Sequence, residues 1–282
     1  MTAIQTIALS RVYHSKTGVI RLWRTFLTGA RASLVMESVD FSLPRLFGTK
    51  LPRFILQPLF FVILAYVAGG PELARFALIG NAMGNAAIHS LVNLGTSIEI
   101  EKWAGTFPLL MAVPANWLPL MIGRAAAGYL ESLISVFVTF AVLTPFMAGA
   151  GLPFDRLLLA MPVMMLTTAS LAGMGWLLGS LTLPTRVGLL ASNMVAYAMF
   201  VVCGLNFPLD AMPPFLQAIG RALPLTHGLM AIRNVIDGAS YLQVAPLVGL
   251  EIAIGLVYAA AAWLVFRKRL NDTRRTGNME LV

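Results

Sequence analysis

Charge is missing from long stretches of this chain, and that absence constrains its fold more than any residue that is present. Phe54–Gly70, Phe76–Ile98, Ser132–Phe154, Leu157–Thr185 and Val187–Leu209 contain no Asp, Glu, Lys or Arg, and Gly238–Phe266 is interrupted only by Glu251. A helix needs about 20 apolar residues to cross a hydrocarbon layer of ~30 Å. Each interval can therefore cross once, the first only barely. Charged residues make up 11% of the sequence, against roughly 25% in a soluble domain. The spacing predicts an all-α membrane protein with six transmembrane helices.

The interval Trp103–Gly123 is also uncharged. Pro108, Pro114 and Pro119 would each break a backbone hydrogen bond where no water replaces it, so this stretch reads as an interfacial or re-entrant lead into span three. The expected organisation is a cytoplasmic arm over residues 1–53, a six-span domain over 54–266 and a basic tail over 267–282. With six spans, sixteen of the 20 Lys and Arg fall on the side of the two termini. Positive loops stay inside, so both termini are expected in the cytoplasm, with the chain in the cytoplasmic membrane. Polar and basic residues precede the first apolar run, so no secretory leader is expected.

The net charge of +8 needs no nucleic acid to explain it, because a positive cytoplasmic face suits insertion and anionic lipid. Cys203 is the single cysteine, which excludes an intramolecular disulfide and a multi-cysteine metal site. His14, His89 and His227 lie far apart, and no Gly-x-x-x-x-Gly-Lys-Ser/Thr segment occurs. No catalytic or metal-binding residues are expected, and any ATP would be bound by another subunit.

From Val19 onward, Ile20, Trp23, Phe26, Leu27, Ala30 and Leu34 fall at helical spacing, with Arg21, Arg24, Thr28 and Arg31 opposite. This predicts an amphipathic helix lying in the membrane surface, as an anchor or as a relay of motion from a cytoplasmic partner. Span two carries Asn81, Asn85, His89, Asn93 and Ser97 at steps of four. The series either bonds neighbouring helices, helped by Gly80 and Gly84, or lines a wet pathway. Gly175 and Gly179 in span four read as packing positions. Met161, Met164, Met165, Met174, Met194 and Met199 are soft core filler or an adaptable lining.

After span five, Pro213 and Pro214 can open one short helix over Phe215–Leu223, and Thr226 can cap a second that ends at Asp237. Phe215, Leu216, Ile219, Leu223, Leu229, Met230 and Ile232 are too apolar for an ordinary loop. The pair is expected to dip back into the outer leaflet, as two re-entrant helices within residues 206–237. Ionisable residues within spans are candidates for function. Arg124 and Glu131 are expected to snorkel or pair, and Glu251 to pair with Arg221 or Arg233. A proton-coupled carrier using Glu131 or Glu251 is the alternative function.

Two motifs carry a resemblance. The stretch Glu99-Ile-Glu101-Lys102-Trp-Ala-Gly105-Thr106, followed by Leu109, Leu110 and Pro114, resembles the segment between spans two and three in permease subunits of type-2 ATP-binding-cassette exporters. That segment reads Glu-Arg-Glu-Arg-x-x-Gly-Thr-Leu-Glu, then a Leu pair and a Pro. Ile100 departs from its basic position and Pro108 from its second acidic one. Gly204-Leu-Asn-Phe207-Pro208-Leu-Asp210-Ala-Met-Pro213, with Leu223-Pro224-Leu225-Thr226 and Arg233, is similar to the same family's outer re-entrant loop. Together the motifs and the span plan cover nearly the whole chain.

The resemblance implies an export permease without catalysis of its own. Two permeases, identical or similar, would pair in the membrane above two ATPase subunits that bind ATP and Mg. The ATPases would dock on a coupling segment over residues 99–114, through Glu99, Glu101, Lys102, Gly105 and Thr106, and on the N-terminal helix through Arg24. Asn81, Asn85, His89, Asn93, Asn193, Tyr197 and Asn206 are candidates for the pathway. Phe207, Pro208, Pro213, Pro224, Arg233 and Glu251 are candidates for the outer gate. The expected cargo is a hydrophobic drug-like, lipid or lipid-linked molecule, and membrane lipids are the remaining partners.

Overall fold

The computed structural model describes residues 22–35, 42–103, 105, 117–146, 152–183, 185 and 187–276. These residues are almost wholly helical and contain no strand. Helix α1 covers residues 22–35. Its Ser33 hydroxyl donates to the Arg124 carbonyl at 2.8 Å, and Phe26, Leu27 and Ala30 are half-buried while Trp23 and Leu34 stay exposed. The predicted apolar face is thus split between protein contact and open surface. Residues 1–21, including Ile20 and Arg21, lie outside the described residues.

A short helical turn at Leu43–Arg45 and a π-helical turn at Leu46–Lys50 lead into α2, residues 51–68. Helix α2 ends at Gly69 and Gly70, whose torsions (φ −152°, ψ 16° and φ 75°, ψ −162°) leave the helical region. A positive φ of this kind suits glycine. Pro71 then opens α3, residues 71–103, at a position where its missing N–H costs nothing. The Asn85 amide donates to the Phe54 carbonyl at 3.1 Å; along one straight helix these residues would lie about 46 Å apart. The two helices therefore fold back on each other as an antiparallel hairpin.

Helix α4 runs over Trp117–Phe146, so the third apolar helix lies further towards the N-terminus than the charge-free interval Ser132–Phe154 indicates. Its apolar window is Ile122–Pro145. The boundary moves because Arg124 and Glu131, inside this helix, find opposite charges within the protein. Pro119 falls in its first turn, where proline is tolerated, whereas Pro108 and Pro114 lie outside the described residues. Helix α5 spans Phe154–Leu181 and helix α6 Gly188–Val202. Helix α6 is only about 22 Å long, shorter than the interval Val187–Leu209 suggests, because Gly204 (φ 74°) turns the chain.

A 3-10 turn at Leu209–Ala211 precedes α7, Pro214–Ala222, and α8, Thr226–Ile236. Helix α9, Tyr241–Thr276, continues through the basic residues 267–276 as one helix. Among the described residues, four helices are suited by length and composition to cross a membrane, with the bent α2–α3 counted as one; α6 is a shorter apolar helix.

Helix α3 is the centre. Residues 77–91 are buried without interruption, packed by α2, α4, α5 and α6. Helix α5 approaches it closely: a β-carbon at Gly175 would lie 2.7 Å from the Ser90 carbonyl oxygen, and one at Gly179 2.8 Å from that of Leu94. Here the packing reading of the glycine pair holds. Backbone cannot yield as a side-chain tip does, so Gly179→Leu should cost about 1–3 kcal/mol. A lower melting temperature of the purified variant would show it; an unchanged one would mean α5 shifts freely.

Candidate functional site

The α3 polar column and its neighbours are joined by hydrogen bonds. The Asn81 amide donates to the Asn206 side-chain oxygen at 2.7 Å, and that of Asn85 to Phe54 O and Thr139 Oγ1. Ser90 and Ser132 share a hydroxyl pair at 3.0 Å. One and two turns further on, His89 and Asn93 meet Glu131 of α4. Asn93 Nδ2 donates to Oε2 at 2.6 Å, Lys50 Nζ to Oε1 at 2.7 Å, and His89 Nδ1 lies 3.5 Å from Oε1. The Glu131 side chain is 5% exposed and that of Lys50 13%. Asn81, Asn85 and Asn93 thus bond α3 to other segments of this chain, whereas Ser97 bonds its own helix at Leu94 O.

At the Trp103 end of the bundle, the acidic run ties α3 to three other segments. Glu99 is 6% exposed, and its Oε2 accepts the Leu189 N–H at 3.0 Å. A carboxylate at the first turn of α6 satisfies an orphan donor and matches the positive end of the helix dipole. Lys102 Nζ donates to the Leu183 carbonyl in the α5–α6 link. Arg124 of α4 pairs with Glu101 Oε1 at 2.6 Å. Ile100, Trp103 and Gly105 are exposed; Thr106 lies outside the described residues.

The Gly70 end is closed by α7 and α8. The Thr226 hydroxyl does not cap α8; it donates to the Gly220 carbonyl at 2.6 Å. The cap comes instead from α9. Both oxygens of Glu251, 0% exposed, accept backbone N–H groups at the α8 start, from Leu225 at 2.7 Å and Gly228 at 3.0 Å. The expected pairing of Glu251 with Arg221 or Arg233 is therefore corrected. Arg233 donates to the carbonyls of Gly204, Leu205 and Phe76 and lies 3.3 Å above the Phe76 ring, whereas Arg221 faces Gln217 and Asp210. Leu229 and Ile232 are buried in the protein core, so α8 buries its apolar face against this chain. Phe207, Phe215 and Ile219 remain exposed.

An apolar groove of about 470 Å³ runs between α3, α4, α5 and α9, lined by Leu166, Trp176, Ile252 and Leu256 with Arg124 at its Trp103 end. A smaller polar cavity of about 280 Å³ lies between α2, α3 and α4 around Lys50, His89 and Glu131.

The family model for ABC-2 type transporters matches residues 45–236. The chain belongs to the ABC-2 type transporter family. It is also 25% identical over 239 residues to the daunorubicin resistance ABC transporter permease protein DrrB1 of Streptomyces coeruleorubidus, a match covering 79% of this chain and 81% of that one. The protein is thus a membrane-spanning permease subunit of an ABC transporter.

Within this ABC-2 permease, the predicted pathway residues do not form one surface. Asn81 and Asn206 meet, Asn85, His89 and Asn93 lie on the buried column, and Tyr197 is exposed beside Met194 and Val201 on α6. Asn193 bonds its own helix at Leu189 O. Of the gate candidates, Pro224 is buried at the tip between α7 and α8, and Phe207, Pro208 and Pro213 are exposed. Arg24 is exposed on α1. Sequence reasoning missed Lys50 as the partner of Glu131, since the two are 81 residues apart and no local pattern links them.

Proposed function

We propose that this permease exports a hydrophobic drug-like, lipid or lipid-linked molecule across the cytoplasmic membrane. It works paired with a second permease, the same or a similar chain, and is driven by separate ATPase subunits that bind ATP and Mg. The α2–α3 hairpin, α4, α5, α6 and α9 supply six crossings, with both termini and the Trp103 end of the bundle in the cytoplasm. The tip of the α7–α8 pair meets Glu251, about 15 Å along α9 from Tyr241, which supports its reading as a re-entrant outer gate. An apolar cargo is supported by the 470 Å³ groove and by the daunorubicin resistance named for the relative.

The observation that carries the coupling is the three-way anchorage of residues 99–102. Through Glu99, Glu101 and Lys102 this segment holds α6, α4 and the α5–α6 link. An ATPase pressing on the exposed Trp103 and Gly105, and on Thr106 beyond them, moves these elements together, while charged rims set the docking register. Glu99 and Lys102 transmit the push, and Arg24 extends the contact along α1. The proton-coupled alternative gains no support from Glu251, whose oxygens are both committed to α8.

The test is Glu101→Lys, assayed for ATPase stimulation and export with the cognate subunits. The Arg124–Glu101 pair is mostly buried, with side chains 15% and 14% exposed, so stability should fall along with export, which drops at least tenfold, and export is compared at equal amounts of inserted permease. Glu101→Lys combined with Arg124→Glu separates two roles. Recovery of export assigns Glu101 to the internal tie; continued loss assigns it to the ATPase contact. Export at the parent level in the single variant would sink the coupling assignment.

A further inference from the structure

The apolar groove of about 470 Å³ is built on the seam between α5 and α9. The two helices touch there through small residues. A β-carbon at Gly173 would lie 2.9 Å from the Gly255 carbonyl oxygen, and one at Gly255 2.5 Å from Ser170 Oγ. Ala169, Ala172 and Ala259 beside them add only methyl groups, which keeps the seam flat. Ile122 of α4 and Ile252 and Leu256 of α9 are exposed along the groove, so it opens on the outside of the bundle. From Leu166 to Trp176 its α5 side extends about 15 Å. The half-buried Trp176 is held by Trp263 and Phe266, with ring centroids 6.3 and 6.4 Å away. An indole fixed in this way pays little ordering cost on meeting a ligand, and its ring favours aromatic contact.

Polar groups are few, and they differ in what they can give. The Ser97 and Ser170 hydroxyls donate to Leu94 O and Glu251 O, so their protons are committed. Arg124 is different. A guanidinium carries a fork of donors, and among the described residues this one gives Nη1 to Glu101 Oε1 at 2.6 Å. Its side chain is 15% exposed and borders the groove. The other arm of the fork suits a ligand acceptor. An anion in that place would be repelled by the Glu101 carboxylate, so a neutral acceptor fits better.

We propose that this groove binds a neutral, flat fused-ring molecule with a hydrogen-bond acceptor at one end, its rings on the α5–α9 seam against Trp176 and its acceptor at Arg124. A rigid body outcompetes the acyl chains of surrounding lipid, because a chain loses rotamer freedom on a flat seam and a fused ring has none to lose. The site deepens the proposed export of a hydrophobic molecule, and its role as a cargo site rests on that reading. Binding is measured on the purified permease without ATPase or transport. A molecule that binds here and is not exported leaves the site standing and removes only its cargo role.

The experiment places the purified full chain in phosphatidylcholine nanodiscs and titrates it with benzanthrone, a flat fused-ring ketone, reading energy transfer from tryptophan to the bound dye. Two competitors report selectivity, with concentrations compared in the bilayer: chrysene, flat rings without an acceptor, and dioctyl ketone, a flexible chain with one. Benzanthrone should bind saturably above empty nanodiscs, and each competitor about tenfold more weakly. Ala169→Phe puts a ring on the seam and should abolish binding, whereas Leu242→Phe, exposed at the start of α9, should leave it unchanged. Arg124→Lys keeps a charge opposite Glu101 but loses the planar fork; it should weaken benzanthrone about tenfold and leave chrysene unchanged. Dioctyl ketone binding as tightly as benzanthrone would mean that lipid chains fill the groove, and overturns the proposal. Equal binding of chrysene to the parent protein overturns it without any variant. Dye binding to Ala169→Phe at the parent level does the same, as does separation of paired permeases by that variant, which would show a second copy covering the groove.

Discussion

Truncating Glu251 to Ala should unpin the tip of the α7–α8 pair and destabilise the permease by about 2–5 kcal/mol. The magnitude follows from two backbone donors. Leu225 and Gly228 N–H lose their acceptors at a buried site, and each unsatisfied group costs roughly 1–3 kcal/mol. The α8 start also loses the negative charge that complements its dipole. Glu251→Gln keeps one acceptor oxygen, so it should cost about half as much. Thermal unfolding in detergent gives the stability ranking, and amide hydrogen exchange at Leu225–Gly228 locates the change. Were Glu251→Ala to melt with the parent protein and protect those amides equally, the clamp would have no mechanical role. In the proposed cycle an unpinned tip leaves the outer gate ajar, and export should fall along with stability.

What the sequence disclosed and what it hid divide along physical lines. The helical class and the apolar helices were legible because lipid demands long charge-free segments. The α7–α8 pair was legible because proline punctuates it. The start of α4 was not, since a rule that counts charge-free residues treats Arg124 and Glu131 as boundaries. Once Glu101 and Lys50 neutralise them, the helix runs straight past. The same blindness assigned Glu251 to an arginine: opposite charges suggest each other in a sequence, whereas the α8 N–H groups become visible as anion ligands only when the chain is folded. Arg233 shows the converse, with a guanidinium taken up by main-chain carbonyls beyond the end of α6.

These exchanges have a common logic. Helix α6 is too short to span comfortably, and both of its ends are met by charges from distant elements, Glu99 at its first turn and Arg233 at the carbonyls of Gly204 and Leu205. In the proposed cycle, a helix held this way would carry displacement from residues 99–102 to the segment after α6 without needing a long hydrophobic overlap. On the proposed mechanism the motif residues Glu99, Gly204 and Arg233 would form one mechanical line, with the two resembling motifs at opposite ends of α6.

The Lys50–Glu131 pair ties the turn before α2 to α4 across a buried ion pair. Glu131→Gln removes the buried carboxylate that Lys50 faces at 2.7 Å. The loss should be about 3 kcal/mol, the low end for a broken buried pair, because the amide oxygen can still accept one hydrogen bond. Lys50→Met in the Glu131→Gln background should restore part of that loss, with a coupling of about 0.5–3 kcal/mol; additive effects would mean the ion pair is not a working unit.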